Sequence, residues 1–301
     1  MFMYDIIIIG AGPAGLTAAI YARRAAKTAL VLEASAYGGQ IINTPDIENY
    51  PVAPNISGFD FATNIYNQAV GLGAEVKFEK ALEIKNGELK TVKTARGEYE
   101  AKAVIIATGS QNRKLGVEGE DKLIGRGISY CATCDGAFFK NKKVAVVGGG
   151  NTALEDALYL ADIAETVYLI HRRDSFRGEA STVEKLKEKP NVEFVYNSVV
   201  KNLIADKRLT AVEVENKQGE VTTLEINGLF VAVGRIPESE AFSALADTDG
   251  AGYFASGENC KTKTDGIFVA GDVRTKDVRQ LVTATADGAV AATEAVKYIN
   301  S

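Results

Sequence analysis

Two cysteines three positions apart, Cys131 and Cys134, are followed at once by an acid, Asp135. Residues at i and i+3 share one side of a helical turn, so their sulfurs can close a small disulfide ring. A C-x-x-C also tends to depress one thiol pKa, which supplies the thiolate that attacks another disulfide. Asp135 stands where it can exchange a proton with an attacking or leaving sulfur. The other common meaning of C-x-x-C is half a zinc site, which needs a second ligand pair. Beyond the motif the chain has one cysteine, Cys260, and one histidine, His171, so no metal site is expected. Cys260 reads as a small semi-buried side chain. Phe138 and Phe139 follow the motif. They read first as core aromatics and second as an apolar contact for a partner protein.

Redox chemistry of this kind needs an electron source, and the sequence offers two places to hold one. Tyr4-Asp5 leads into the unbroken β-branched run Ile6 to Ile9, which ends at Gly10, the pattern of a strand buried on both faces of a parallel sheet. Gly10-Ala11-Gly12-Pro13-Ala14-Gly15 follows, then a helical stretch from Leu16 to Arg24 and a second strand, Ala29 to Glu33. A lone G-x-G-x-x-G is a weak signal, but here the whole βαβ unit is present. The first glycine makes the turn, the second admits a pyrophosphate, and the third lets helix pack on strand. Glu33 ends the second strand, where a carboxylate binds ribose hydroxyls and repels a 2′-phosphate.

The pattern recurs at Lys143 to Val147, followed by Gly148-Gly149-Gly150-Asn151-Thr152-Ala153, a helix, and a strand from Thr166 to Ile170. Here the acid is replaced by His171-Arg172-Arg173, with Arg177 one turn on. Guanidinium forks in that place are the signature of a 2′-phosphate, hence of NADP and not NAD. A thioredoxin fold is excluded, because the C-x-x-C precedes a nucleotide-binding unit and does not sit in a lone small domain.

Val104 to Gly109 closes the first unit and Leu229 to Gly234 closes the second, each followed by a polar stretch suited to a linker. No third unit begins. The chain gives one more strand, Gly266 to Ala270, then Gly271-Asp272 and a helical stretch from Gln280 to Ile299. The economical arrangement is an α/β protein of two Rossmann-like dinucleotide-binding domains, with the second inserted in the first. The expected bounds are 1–112 with 240–301 for the discontinuous domain of the first cradle, and 113–239 for an inserted NADPH domain carrying the C-x-x-C. Thr248 to Gly257, rich in small residues, reads as a surface turn.

The bulk numbers agree with that plan. A chain of 301 residues with 46% hydrophobic content can bury two ordinary cores. The formal net charge of −5 argues against a nucleic-acid or anionic membrane surface. No apolar run reaches membrane-spanning length, and the apolar opening from Met1 to Gly15 lacks a basic leader. A cytoplasmic location is expected.

Taken together, Tyr130-Cys131-Ala132-Thr133-Cys134-Asp135-Gly136, Val147 to Ala153 and His171-Arg172-Arg173-Asp174 resemble the bacterial-type, low-molecular-weight thioredoxin reductases. The resemblance spans essentially the whole chain. It includes Gly38-Gly39-Gln40, Ala107-Thr108-Gly109 and Gly271-Asp272-Val273 with Arg279-Gln280. A related flavoprotein branch that passes electrons to ferredoxin or flavodoxin lacks the C-x-x-C. The resemblance implies a homodimer that moves electrons from NADPH through FAD and the Cys131–Cys134 disulfide to thioredoxin. It implies FAD contacts at Gly10, Gly12, Gly15, Glu33, Gln40, Asn49, Asp272, Arg279 and Gln280. It also implies that Cys134 is the sulfur nearer the flavin and that Cys131 attacks the partner. Two alternatives stay open. One is a same-scaffold enzyme for another disulfide acceptor or for disulfide formation; the other is a redox sensor without turnover. Nicotinamide and disulfide share one domain while the flavin lies in the other, so the two linkers are expected to act as a hinge.

Overall fold

The apolar opening run forms the strand Met3–Ile9, and its alternate side chains enter two different cores. Ile6 and Ile8 pack with helices Pro13–Arg24 and Leu281–Asn300. Ile7 and Ile9 point the other way, toward Val104, Ile106 and Phe254. All four are at most 4% exposed, which is why the run shows no polar alternation. The computed structural model describes residues 3–44, 46–53 and 55–301; Met1 and Phe2 of the opening run lie outside them.

The chain divides into two compact units, Met1–Gln111 with Ile236–Ser301, and Asn112–Arg235. In the first unit, strands Glu75–Lys77, Ala29–Leu32, Met3–Ile9 and Glu98–Ile106 lie side by side and parallel. The remaining edge of Glu98–Ile106 is shared between two partners. Lys90–Thr94 pairs antiparallel with its first half, and Ala81–Lys85 lies outside that strand. Ile267–Val269 pairs parallel with Val104–Ile106. The last part of the chain thus re-enters the sheet begun by the first part.

The segment 248–257 differs from the plain surface turn its small residues imply. A turn does form, with the Gly252 N–H donated to the Asp249 carbonyl. Phe254, however, is fully buried, and its backbone bridges both Thr248 and Arg274. Tyr253 and Phe254 are buried while residues 248–251, 255 and 257 stay exposed, so the segment is a surface turn anchored by two aromatic rings. Cys260 is likewise fully buried, not semi-buried, and burial together with the Asp287 charge pushes its thiol up to about 12. A thiol so protonated is inert toward exchange.

In the second unit, Val192–Val195, Thr166–Ile170, Lys143–Gly148, Gly228–Ala232 and Ile128–Ser129 form a five-stranded parallel sheet in that order. Leu154, Ala157 and Leu160 of helix Asn151–Ala161 cover one face through Val144, Val146 and Phe230. The antiparallel strands Ser198–Ala205, Leu209–Asn216 and Val221–Glu225 cover the other. In each unit the parallel strands deliver their following loops to one edge, the edge where α/β sheets bind ligands. Among the described residues, no helix is long and apolar enough to cross a membrane.

Candidate active site and dinucleotide cradles

The redox turn grows from an edge strand of the second unit. Ile128–Ser129 ends, Tyr130 follows, and Cys131 caps the single helical turn Ala132–Asp135. The Cys134 and Asp135 N–H groups both donate to the Cys131 carbonyl, at 3.3 and 3.1 Å. That winding brings the Cys131 and Cys134 Cα atoms to 5.3 Å, and the two sulfurs are joined as a disulfide. Ala132, fully buried with Ala157 and Leu160, anchors the turn to helix Asn151–Ala161. Phe139 packs edge-on against Phe230, whereas Phe138 is 43% exposed, so the two aromatics separate into a core residue and a surface one.

Two polar residues that sequence reasoning missed hold this turn. The buried Ser129 hydroxyl donates to Asp135 Oδ2 at 2.6 Å and accepts from the Cys131 N–H at 3.1 Å. The buried Glu120 carboxylate accepts from the Tyr130 hydroxyl at 2.6 Å and from the Leu115 and Gly116 N–H groups. Burial and that carboxylate push the Tyr130 phenol up, so it stays a donor. Neither residue lies in a recognisable motif. Only the place of Ser129, a polar residue ending a short strand just ahead of the C-x-x-C, could have drawn attention.

The neighbouring strands carry the second cradle. Helix Asn151–Ala161 begins at Gly150 with no side-chain cap, and a Cβ on Gly150 would meet nothing within 4 Å. Its first-turn N–H groups, those of Asn151 and Thr152 among them, are suited to a pyrophosphate. Ala153 packs behind them, its Cβ facing Gly148. The basic turn is strapped to this loop: the Arg177 N–H donates to the Gly149 carbonyl at 2.7 Å and the Glu179 N–H to Asn151 Oδ1 at 2.8 Å. Arg172, Arg173 and Arg177 are exposed beside it. His171 does not join them. Its ring is buried, stacked on Phe176, with Nε2 3.1 Å from the Ser175 carbonyl. A Cβ on Gly149 would lie 2.1 Å from that ring, so Gly149 is small to let the histidine support the loop. Burial, and then the three arginine charges, hold the imidazole below its ordinary pKa and therefore neutral at pH 7.

In the first unit the matching parts converge on its own sheet edge. A Cβ on Gly15 would lie 1.9 Å from the Gly10 carbonyl oxygen, so helix and strand meet only because that residue is glycine. Helix Pro13–Arg24 has Gly12 as its N-cap, Pro13 in its first turn, Ala14 buried, and no side-chain cap. Glu33 is held at the strand end by the Ala11 and Ser35 N–H groups, at 2.8 and 2.9 Å. The Gly38–Gly39 turn lies against Gly12, and the Gly38 N–H donates to the Ala11 carbonyl; Gln40 follows in the 3-10 turn Gly39–Asn43. Asn49 Nδ2 donates to Gln280 Oε1 at 3.2 Å, and Gln280 caps helix Leu281–Asn300. Thr108 and Arg279 each make internal contacts. The Thr108 hydroxyl donates to the Glu238 carbonyl while Gly109 accepts from the Glu238 N–H. The Arg279 guanidinium stacks 3.9 Å over Tyr253 and donates to the Arg274 carbonyl.

Asp272 sits in the turn Gly271–Val273, and this turn rests on Asp287, another residue no motif marked. The buried Asp287 accepts from the Gly271 N–H at 2.9 Å, from Arg274 through both oxygens at 2.8 Å, and from Lys276 at 2.7 Å.

A family model described as pyridine nucleotide-disulphide oxidoreductase matches residues 4–288. A thioredoxin reductase of Listeria innocua is 44% identical over 300 residues, covering 99% of this chain and 94% of its own. The solved thioredoxin reductase of Streptococcus pyogenes is 42% identical, with a TM-score of 0.94 and coverage of 99% and 98%. That of Lactococcus lactis, in its FR conformation, is 41% identical with a TM-score of 0.69 and 99% coverage of both chains. Together with the disulfide turn and the two glycine cradles, these likenesses place the chain in the pyridine nucleotide-disulphide oxidoreductases, as a member of the thioredoxin reductase family.

Proposed function

We propose that the chain is an NADPH-dependent flavoprotein that reduces the disulfide of thioredoxin. The observation that carries this reading is the closed Cys131–Cys134 disulfide on the same sheet edge as an arginine-flanked dinucleotide cradle. When bound, NADPH supplies a hydride and FAD relays its electron pair to the disulfide. Gly12, Gly15, Glu33, Gly39, Gln40, Asn49 and Asp272 hold FAD in the first unit. Gly150, Asn151 and Thr152 hold the NADPH pyrophosphate, and Arg172, Arg173 and Arg177 take its 2′-phosphate. Gly10, Gly148, Ala153 and His171 shape the two loops behind these contacts.

The thiol chemistry belongs to the chain itself. The Cys131 thiolate attacks the acceptor disulfide and one acceptor sulfur leaves. Cys134 then attacks Cys131 in the mixed disulfide, giving its proton to Asp135 and releasing the second acceptor sulfur. Exposed Phe138, beside the turn, offers the acceptor protein an apolar contact. The crossings at 111–112 and 235–236 serve as the hinge that lets nicotinamide and disulfide use the flavin in turn. A homodimer in the cytoplasm is the working state, supported by the family resemblance.

The test is steady-state NADPH consumption with a panel of thioredoxins against small disulfides. Sustained turnover fastest with a thioredoxin is expected. Preference for a small disulfide, or a single turnover and no more, would overturn the reading in favour of another acceptor or of a sensor. The donor is tested separately by neutralising Arg172 and Arg173. KM for NADPH should rise while NADH use stays nearly unchanged. Each lost charge-assisted bond costs about 1.5–3 kcal/mol, roughly tenfold to a hundredfold in affinity. Equal losses for both nucleotides would show that these arginines support the fold.

A further inference from the structure

The Ser129 hydroxyl has one proton and two acceptors in reach, Asp135 Oδ2 at 2.6 Å and the Cys131 carbonyl at 3.3 Å. The shorter, charge-assisted bond wins, so the proton goes to the carboxylate. A lone pair of the same oxygen receives the Cys131 N–H at 3.1 Å. Ser129 therefore bridges the backbone of one redox cysteine to the acid that follows the other. It is 5% exposed, and water has little access to replace it. Its own place is fixed by the sheet, where it pairs with Phe230.

We propose that Ser129 is a positioning residue for thiol–disulfide exchange, holding Asp135 where it takes and returns the proton of Cys134. The proposal rests on the reading of Asp135 as proton carrier given above. The need for such a bridge follows from the reaction itself. Each cycle opens the Cys131–Cys134 bond, and with it goes the covalent restraint that ties the two ends of the turn. The bond to Ser129 does not depend on the redox state of the sulfurs, so it keeps the acid in place in the dithiol form. In the exchange, the Cys131–Cys134 bond forms from the Cys131 thiolate and the Cys134 thiol, whose S–H bond is lost; the proton Cys131 gave up on ionising returns to the acceptor from solvent. The acceptor S–S bond breaks, two electrons pass to it, and two protons end on its sulfurs. Asp135 carries the one that leaves Cys134.

The experiment compares Ser129→Ala, Ser129→Thr, Asp135→Asn and the Ser129→Ala/Asp135→Asn double variant. It reads kcat and KM for thioredoxin reduction and the rapid reduction of flavin by NADPH. Ser129→Ala should lower kcat roughly tenfold with both KM values unchanged, the size of a lost hydrogen bond to a charged group. Flavin reduction by NADPH should be unaffected, and Ser129→Thr should restore most of kcat. In the Asp135→Asn background, Ser129→Ala should add nothing. Wild-type kcat in Ser129→Ala, or an equal loss in both backgrounds, would overturn the proposal. Wild-type turnover in Asp135→Asn would instead remove the reading of Asp135 on which it rests. If Ser129→Ala folds poorly, Ser129→Thr against Ser129→Val decides, since the two are alike in shape and differ in the hydroxyl.

Discussion

Cys134→Ser is expected to take up one hydride equivalent from NADPH where the wild type takes two, and to lose thioredoxin reduction by roughly a thousandfold or more. Two electron pairs have two stores: the flavin, and the dithiol made by opening Cys131–Cys134. A serine at 134 removes the second store, because a hydroxyl cannot form a bond with the Cys131 sulfur that the flavin could reduce. The first store is untouched. The glycine loops, Glu33 and the arginine turn lie on other loops than the disulfide. Anaerobic titration with NADPH, followed in the flavin absorption band, counts the equivalents directly. Two equivalents in the variant would mean that another group stores the second pair. Cys260 cannot be that group: it is fully buried, and its thiol is held protonated. Wild-type thioredoxin turnover in the variant would remove Cys134 from the mechanism.

What the sequence made legible follows from the range of the interactions involved. The glycine loops, their flanking strands and the C-x-x-C are local: each needs only a few neighbouring residues to announce its geometry. Gly15 is glycine because of Gly10, five residues away. The Cys131–Cys134 ring closes within one turn. The return of Ile267–Val269 to the first sheet was legible for a different reason, since no third nucleotide unit began where one would have fitted. The residues that were not legible act across the fold or carry no pattern. Glu120 meets Tyr130 only because a short helix and a strand edge are folded together, and Asp287 meets Gly271 from a helix that begins after it. His171 stands with its arginine neighbours in the sequence, which shows adjacency and not direction; burial turns it inward, against Gly149. Tyr253 and Phe254 lie among small and polar residues that imply solvent; the turn does lie at the surface, and only its two rings are buried.

Asp287→Ala is expected to cost about 3–5 kcal/mol of stability, the loss that follows when one partner of a buried ion cluster is removed. The side chains of Asp287, Arg274 and Lys276 are all under a tenth exposed, so truncation leaves two cations in a site that water barely enters. Burial alone would push the Asp287 carboxyl up. Hydrogen bonds from Arg274 and Lys276, and the charges behind them, outweigh it and hold the carboxyl below its ordinary pKa. A depressed folded pKa contributes stability that is fully present above the unfolded value, about 4, and is lost as pH falls through the folded one. The gap between wild type and Asp287→Asn, measured by urea unfolding, should therefore be constant from pH 6 to 8 and shrink only in acid. A gap that persisted unchanged at pH 2 would mean that shape, and not charge, is what Asp287 supplies. On the proposed reading of Asp272 as an FAD ligand, the cluster also bears on the cofactor, because Asp287 accepts the Gly271 N–H and so fixes the turn that carries Asp272. Replacing all three buried charges by Leu or Met of similar volume should recover stability, since such swaps are often neutral or favourable. It should not recover tight FAD binding, read as release of free flavin fluorescence on dilution, because no apolar side chain can accept the Gly271 N–H. Full FAD retention in that triple variant would show that the Gly271–Val273 turn holds its shape without the carboxylate, and that Asp287 serves the fold alone.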